Sequence, residues 1–149
     1  MIAENNYFHI TIANMDRVFI DTNIPMYAAG SEHPNKEPSI RILEKISKGQ
    51  IFGVTSAEIL QEILHRYQSI NMLSSGIAIF KEFSSIVDEV LPINFKILEN
   101  AKNILSGNPD ILTRDAIHAA TMEHYNIDYI ATFDKHFSFF KNIRYYTDF

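Results

Sequence analysis

The sequence predicts a single α/β domain in which helices cover both faces of a parallel sheet. The chain has 149 residues, a length typical of one domain. Short apolar runs alternate along it with segments whose apolar positions recur at helical spacing. Such an alternation of strands and helices is typical of βαβ units, whose strands are parallel.

The composition agrees with a globular domain and excludes several classes of site. Hydrophobic residues make up 46% of the chain, charged residues make up 21%, and the formal net charge is -5. This charge argues against a generally basic surface for coating nucleic acid, although it leaves room for a local basic groove or an acidic metal site. The chain has no cysteine, which excludes disulfides, thiolate zinc sites and a cysteine nucleophile. Because no apolar run has membrane-spanning length and no secretory signal is recognisable, we expect a cytoplasmic protein without a membrane partner.

The first predicted strand ends at an acidic residue. Residues 18–20 form an apolar triplet, and Asp21 follows at the carboxyl end, the edge where open α/β sheets bind their ligands. Thr22 or Asn23 is predicted to cap the short helix that follows at residues 24–29. Pro25 suits the first turn of that helix, because its missing N–H would have no helical partner there.

Apolar periodicity and breaker residues predict the remaining elements. Helices are predicted from Pro38 to a stop at Gly49, from a cap at Thr55 or Ser56 to about Tyr67, at residues 73–87, from Asn94 to Gly107, and at residues 111–125. Strands are predicted at residues 51–54, near residues 90–91, at residues 129–132 and, as an edge strand, at residues 144–147. Residues 8–12 form a further candidate strand, but the same segment is explained equally well as a loose tail upstream of Met15. We therefore predict an extension at residues 1–15 and one domain at residues 16–149.

Three carboxylates stand out on structural grounds. Asp21 and Asp134 each follow a predicted strand, and the carboxyl ends of parallel strands share one edge of a sheet, so we expect the two side chains to converge. Asp115 lies on an otherwise apolar helix, where a buried carboxylate costs several kcal/mol unless it is paired or bound to a metal. The alternative for Asp115 is an acid near a helix N-terminus, which the helix dipole favours.

Periodicity assigns no function to the remaining acids and histidines. Glu62 lies off the apolar stripe of its helix, as Glu58 does, so spacing alone predicts two surface acids. His65 and His118 each follow a carboxylate by three residues, which is the spacing of di-iron helical bundles. Interleaved strands contradict such a bundle. We therefore interpret His65 as a surface residue and His118 as a partly buried residue with satisfied hydrogen bonds.

Four sequence motifs, in this order and at this spacing, resemble those of the PIN-domain nucleases. They are Val-Phe-Ile-Asp21-Thr-Asn23, Thr-Ser-Ala-Glu-Ile-Leu-Gln-Glu62-Ile-Leu, Arg-Asp115-Ala-Ile-His-Ala-Ala and Ala-Thr-Phe-Asp134-Lys-His-Phe. The resemblance extends over residues 16–149 and is to the small VapC-type toxin ribonucleases in particular, which form half of a type II toxin–antitoxin pair. The extension at residues 1–15 departs from the compact members of the family.

The resemblance implies a three-layer α/β/α sandwich around a parallel sheet, and a catalytic site whose acids hold Mg²⁺ or Mn²⁺. The acids that match the catalytic and metal-binding positions are Asp21, Glu62, Asp115 and Asp134. This match selects Glu62 over Glu58, which periodicity could not do. Asn23 and Thr132 match small polar positions that flank the acids. All-oxygen ligands favour Mg²⁺ or Mn²⁺ over zinc.

The activity that the resemblance implies is hydrolysis of RNA phosphodiester bonds by metal-activated water. We expect a single-stranded or looped RNA substrate, an antitoxin protein as partner, and a homodimer. An anionic substrate beside an acidic site also needs local cations. The candidates are Arg114 and Lys135, followed by Lys36, Arg41 and Arg66. The alternative function is a binding module of the same fold that acts through an antitoxin-like or homodimeric partner with little catalysis.

Overall fold

A five-stranded sheet runs through the part of the chain that the computed structural model describes, residues 17–149. Its strands are β1 (Arg17–Ile20), β2 (Phe52–Ser56), β3 (Glu89–Leu91), β4 (Tyr129–Ala131) and β5 (Arg144–Tyr145). They lie in the order β3-β2-β1-β4-β5, and every neighbouring pair is parallel. The predicted parallel sheet is therefore confirmed. The candidate strand at residues 8–12 and the extension at residues 1–15 lie outside the described residues.

Within residues 17–149, six α-helices flank this sheet, which confirms the three-layer α/β/α sandwich. They are α1 (Asn23–Ala29), α2 (Lys36–Ser47), α3 (Ala57–Ser69), α4 (Leu73–Ile86), α5 (Phe95–Gly107) and α6 (Thr113–His124). Helix α1 packs on α2, α3 on α4, and α5 on α6. A 3₁₀ helix at Lys135–Phe139, which periodicity did not predict, follows β4. Among the described residues, none of these helices is both long and apolar enough to cross a membrane.

Polar caps and turns set where the elements begin. Ser56 ends β2 and caps α3, because its side-chain oxygen accepts a hydrogen bond of 3.2 Å from the backbone N–H of Ile59. Ser56 is one of the two caps predicted, Thr55 or Ser56, and β2 ends two residues later than the predicted strand. Helix α6 begins at Thr113 rather than at residue 111, because the N–H of Ile111 instead closes a turn with the carbonyl of Asn108.

The central strand β1 and helix α6 both lie in the interior of the domain, and α6 carries buried polar side chains. Val18, Phe19 and Ile20 in β1 are at most 2% exposed, as expected for an interior strand of a parallel sheet. Helix α6 is buried on more than one side, as its small and apolar residues predicted. Its buried residues are Asp115, Ala116, His118, Ala119, Ala120, Thr121 and Met122.

Candidate metal centre

Asp21 lies buried at the carboxyl end of the central strand β1. Its backbone N–H donates to the carbonyl of Ala131 at 3.1 Å, which ties the end of β1 to the end of β4. Carboxylate oxygen Oδ1 accepts a hydrogen bond of 2.8 Å from the N–H of Thr22, and Oδ2 accepts one of 2.6 Å from the hydroxyl of Thr132. Asn23 Nδ2 lies 3.4 Å from Asp21 Oδ2 and donates to Thr132 Oγ1 at 3.0 Å. These small polar residues therefore hold the Asp21 carboxylate in one orientation.

Glu62 lies beside Asp21 and is only 8% exposed, so the surface position that periodicity predicted is wrong. The physical reason is that α3 has a second buried face, where polar groups from other elements surround Glu62. Its Oε2 accepts the hydroxyl of Thr22 at 2.6 Å, and its Oε1 lies 3.2 Å from Arg66 Nη2 and 3.6 Å from Arg114 Nη1. Glu58 remains partly exposed.

Thr22 connects the two carboxylates and does not cap α1 with its side chain. It occupies the N-cap position, but its side chain makes no cap hydrogen bond. Its hydroxyl donates to Glu62, while its backbone N–H donates to Asp21. Of the two predicted caps, Thr22 or Asn23, Thr22 does occupy the cap position, but its side chain forms no cap because its hydroxyl donates to the Glu62 carboxylate instead. The sequence offered no signal for this contact, since the two residues are separated by 40 positions.

The pKa values of the two carboxylates are shifted in opposite directions. Burial raises the pKa of Asp21 above its ordinary value of 3.8, and the nearby His118 and the hydrogen bonds from Thr132 and Thr22 offset this only in part. Burial alone would also raise the pKa of Glu62, but His118, the Thr22 hydroxyl and Arg66 lower it to about 2. Asp21 is therefore the member of the pair whose charge is least compensated by the protein itself.

Asp115 and Asp134 meet close by, on α6 and after β4. Asp115 is the third residue of α6 and is 5% exposed, so it is both a first-turn acid and a buried one. Asp134 caps the 3₁₀ helix by accepting the N–H of His136 at 2.9 Å, and its Oδ1 lies 3.1 Å from His136 Nδ1. The N–H of Asp134 donates to Thr132 Oγ1 at 3.0 Å, so one hydroxyl connects Asp134 to Asp21.

The four acids belong to two neighbouring groups of possible metal ligands. Within each group, one ligand atom from each residue lies within 4.8 Å of the others. The first group is Asp21, Glu62 and His118, and the second is Asp115, Asp134 and His136. Electrostatics connect the groups: burial raises the pKa of Asp115, and the negative charges of Asp134 and Asp21 raise it further, against smaller lowering effects of His118 and Arg114.

His118 occupies a position that residue spacing did not predict. It is 1% exposed, and neither ring nitrogen has a hydrogen-bond partner among residues 17–149. Nε2 lies 3.5 Å from Glu62 Oε2, which is beyond ordinary hydrogen-bond geometry. The interpretation of His118 as partly buried and satisfied is therefore wrong. His65 is exposed, as predicted, and this exposure together with the parallel sheet contradicts the di-iron bundle.

Cationic side chains lie around the acids. Arg66 and Arg114 both approach Glu62, and Arg114 is therefore engaged by an acid on another helix. Lys135 directly follows Asp134, is exposed, and makes no ion pair with any residue that the structure describes. The other two cationic candidates, both on α2, are Lys36 and Arg41.

The donor set fits a hard divalent cation. Asp21 and Asp115 are buried and have raised pKa values, so each is an acid whose charged form lacks compensation. Carboxylate oxygens are the ligands that Mg²⁺ and Mn²⁺ prefer. His118, whose ring nitrogens make no hydrogen bond within residues 17–149, belongs to the same group as Asp21.

Comparisons with known proteins agree with this fold and identify the family of the chain. The PIN domain family matches residues 18–142. Ribonuclease VapC13 of Mycobacterium tuberculosis is 39% identical over 127 residues, which cover 85% of this chain and 97% of that protein. Ribonuclease VapC23 of the same organism is 31% identical over 120 residues, covering 78% and 92% of the two chains.

Solved structures show the same fold at low sequence identity. VapBC2 of Rickettsia felis, bound to a DNA fragment from its promoter, superposes with a TM-score of 0.67 at 18% identity, covering 87% of this chain and 97% of that chain. VapC20 of Mycobacterium tuberculosis superposes with a TM-score of 0.66 at 18% identity, covering 81% and 92%. The family match over most of the sequence, with relatives of 39% and 31% identity that are VapC ribonucleases, shows that this chain belongs to the PIN domain family.

Proposed function

We propose that this chain is a Mg²⁺- or Mn²⁺-dependent ribonuclease and the toxin of a type II toxin–antitoxin pair. The observation that carries the proposal is Asp21, a buried carboxylate at the tip of the central strand whose pKa is raised by burial. Its neighbours orient it and place Glu62 beside it through one shared residue, Thr22. The ribonuclease relatives of 39% and 31% identity support RNA as the substrate.

Each acid has a defined place in this proposal. The residues that would hold the cation are Asp21, Glu62, Asp115 and Asp134. A divalent cation at such a site lowers the pKa of water and stabilises negative charge on phosphate oxygens. Thr132 and Asn23 orient the Asp21 carboxylate through hydrogen bonds. The hydroxyl oxygen of Thr132 also accepts a hydrogen bond from the N–H of Asp134, which holds the carboxyl ends of β1 and β4 together.

Binding of an anionic RNA beside these acids depends on the cations around them. Arg114 approaches Glu62 from α6, and Lys135 is exposed next to Asp134. Both positions allow contact with phosphate oxygens at the border of the acidic site. The net charge of -5 gives no general attraction for RNA, so affinity should rest on these local cations and on the metal.

The test is cleavage of a single-stranded RNA oligonucleotide by the purified protein. Cleavage is expected with Mg²⁺ or Mn²⁺ and not with EDTA, and Asp21→Asn should lower the rate by about 100-fold or more. Asp128→Asn is the matched control, because Asp128 is exposed and directly precedes β4, at the opposite end of that strand from Asp134. Undiminished cleavage by pure, folded Asp21→Asn protein would refute the proposal.

The toxin assignment predicts an antitoxin partner and, as in our sequence-based expectation, a homodimer. Solved structures with the same fold include toxin–antitoxin complexes from Rickettsia felis and Klebsiella pneumoniae, which support a partner of this kind. Co-expression with a small basic protein encoded beside this chain should yield a stable complex with reduced cleavage. Light scattering of the isolated chain tests the homodimer.

The second candidate function is a binding module that retains the fold and acts through a protein partner. An apolar cavity of about 240 Å³ between α1, α2 and α4 supports it, since its lining includes Leu43, Ile79 and Phe83. A module without catalysis has no need of four carboxylates at one sheet edge, two of them with raised pKa values. Partner binding without metal-dependent cleavage, by wild-type protein that is pure and folded, would favour this candidate.

A further inference from the structure

We propose that His118 is a nitrogen ligand of the metal ion bound by Asp21 and Glu62. This inference rests on the proposed metal-dependent function and deepens it, because the four acids were expected to form an all-oxygen site. It assigns a ligand role to a buried side chain whose ring nitrogens make no hydrogen bond within residues 17–149.

The imidazole ring of His118 has no hydrogen-bond partner among residues 17–149, although its Nε2 lies near the Glu62 carboxylate. His118 is 1% exposed, and both ring nitrogens are buried without a hydrogen bond to any residue in the described range 17–149. A buried polar group without a hydrogen bond destabilises the folded protein, because it has lost its hydrogen bonds to water and gained none in return. Folded proteins rarely keep such a group unless a ligand, an ion or a water completes it.

The Nε2 atom of His118 lies close to a carboxylate oxygen without making a hydrogen bond to it. It lies 3.5 Å from Glu62 Oε2, which is longer than an ordinary N–H···O hydrogen bond. Two ligands of one ion, each at about 2.1 Å from it, lie about 3 Å apart when adjacent. Ligand atoms of His118, Glu62 and Asp21 lie within 4.8 Å of one another, which is compatible with three ligands around a single ion.

The carboxylates of Glu62 and Asp21 keep acceptor positions that no hydrogen bond occupies. Glu62 Oε2 accepts one hydrogen bond, from Thr22, and Asp21 Oδ1 accepts one, also from Thr22. Because each carboxylate oxygen has two lone pairs, one remains on each of these atoms for a cation. A buried nitrogen and two carboxylate oxygens with free lone pairs thus belong to the same group.

The surroundings of His118 limit how strong a ligand it can be. A ligating imidazole usually donates its second N–H to an acceptor, which orients the ring. Here the rings of Phe19 and Phe137 pack against His118, with centroids 5.9 Å and 6.4 Å away, and Nδ1 has no acceptor among residues 17–149. We therefore expect removal of His118 to weaken metal binding by about tenfold rather than to abolish it.

A nitrogen ligand also changes which metal the site prefers. Mg²⁺ is held almost entirely by oxygen ligands, whereas imidazole is a common ligand of transition metals. A site with Asp, Glu and His ligands should therefore favour Mn²⁺ over Mg²⁺. His118→Leu should lower the affinity for Mn²⁺ more than the affinity for Mg²⁺, because only the former gains from the nitrogen.

The experiment is pulsed electron paramagnetic resonance of Mn²⁺ bound to the full chain. A ligating histidine gives a nitrogen coupling to Mn²⁺ that changes when histidine is labelled with ¹⁵N, and this comparison needs no substitution. We expect the coupling in wild-type protein and its loss in His118→Leu, with Mn²⁺ affinity about tenfold weaker. His65→Ala is the matched control, because His65 is exposed, belongs to neither group of possible metal ligands and should leave the coupling intact.

The outcomes separate this inference from the function on which it rests. Tight Mn²⁺ binding without a histidine nitrogen coupling would overturn the role of His118 and leave the metal centre standing. A coupling that persists in folded His118→Leu, or that disappears in His65→Ala, would also overturn it. Failure of folded wild-type protein to bind Mn²⁺ would overturn this inference, and failure to bind both Mn²⁺ and Mg²⁺ would overturn the proposed function as well.

Discussion

The hydroxyl of Thr22 donates a hydrogen bond of 2.6 Å to Glu62 Oε2, across 40 positions of sequence. The backbone N–H of the same residue donates to Asp21 Oδ1 at 2.8 Å. Thr22 therefore fixes the spacing between an acid at the tip of β1 and an acid on α3. Thr22 is buried, with only 3% of its surface exposed.

Replacement of Thr22 by valine should disturb the centre without changing its volume. Thr22→Val keeps the side-chain shape but removes the donor to Glu62, and leaving a buried carboxylate oxygen unpaired costs about 1–3 kcal/mol. We expect lower stability, weaker Mn²⁺ binding and slower RNA cleavage, measured by thermal melts, metal titration and initial rates. Thr22→Ser is the control, because it retains the hydroxyl; equal losses in both variants would contradict this role of Thr22.

Asp115→Asn should stabilise the metal-free protein. The pKa of Asp115 is raised by burial and by Asp134, so its charged form is disfavoured in the folded state. Because the folded state retains the proton to higher pH than the unfolded state does, the charge costs stability progressively as pH rises above 3.8. We expect a higher melting temperature in EDTA, with a gain that is small near pH 4 and larger at neutral pH.

The effect of metal provides the control for Asp115→Asn. Added Mn²⁺ should raise the melting temperature of wild-type protein more than that of the variant, because a ligand that binds only the folded state stabilises it. Stabilisation by charge removal at the cost of ligand binding is the trade-off expected of a functional site. A lower melting temperature in EDTA combined with an undiminished response to Mn²⁺ would refute the assignment of Asp115.

Glu62→Gln should lower the stability of the metal-free protein, whereas Asp115→Asn should raise it. The pKa of Glu62 falls from 4.5 to about 2 on folding, because His118, Thr22 and Arg66 outweigh burial. This lowered pKa stabilises the folded state fully above pH 4.5. The stabilisation is lost as the pH falls toward 2, because Glu62 is then protonated in the folded state as well as in the unfolded state. We expect the variant to lose on the order of 2–3 kcal/mol at neutral pH, and denaturant titrations at several pH values measure this. A loss that does not shrink at acidic pH would contradict the account.

Arg114→Ala and Lys135→Ala should weaken RNA binding. Each removes a cation beside the acids, so KM should rise and the salt dependence of KM should become shallower. Arg114→Ala should also lower the stability slightly, because the guanidinium of Arg114 lies 3.6 Å from the Glu62 carboxylate. Lys102→Ala, an exposed lysine on α5, is the control. Unchanged KM in both test variants would exclude these cations from substrate binding.

The sequence predicted the sheet and the buried acids where local pattern and burial coincide. Asp21 follows an apolar triplet that can only be an interior strand, and Asp115 interrupts an apolar helix. Glu62 could not be found in this way, because its burial depends on Thr22 and on arginines from two helices. Only the family motif, and not the spacing of apolar residues, distinguished Glu62 from Glu58.

The placement of Asp134 and His118 shows the same limit. Sheet geometry correctly brought Asp134 to the edge that holds Asp21, but the unpredicted 3₁₀ helix places its carboxylate with Asp115 and His136. His118 lies three residues after Asp115, and that shared helix face was the only signal of its position. Whether a buried histidine finds a hydrogen-bond partner depends on tertiary packing, which residue spacing does not contain.

The central claim is that the acids at the ends of β1 and β4 bind a divalent cation, and a crystal structure with Mn²⁺ tests it most directly. The account predicts an anomalous difference peak with a carboxylate oxygen of Asp21 about 2.2 Å away and with Glu62 or Asp115 among its other ligands. A peak elsewhere on the protein, or none at these acids at saturating Mn²⁺, would contradict it.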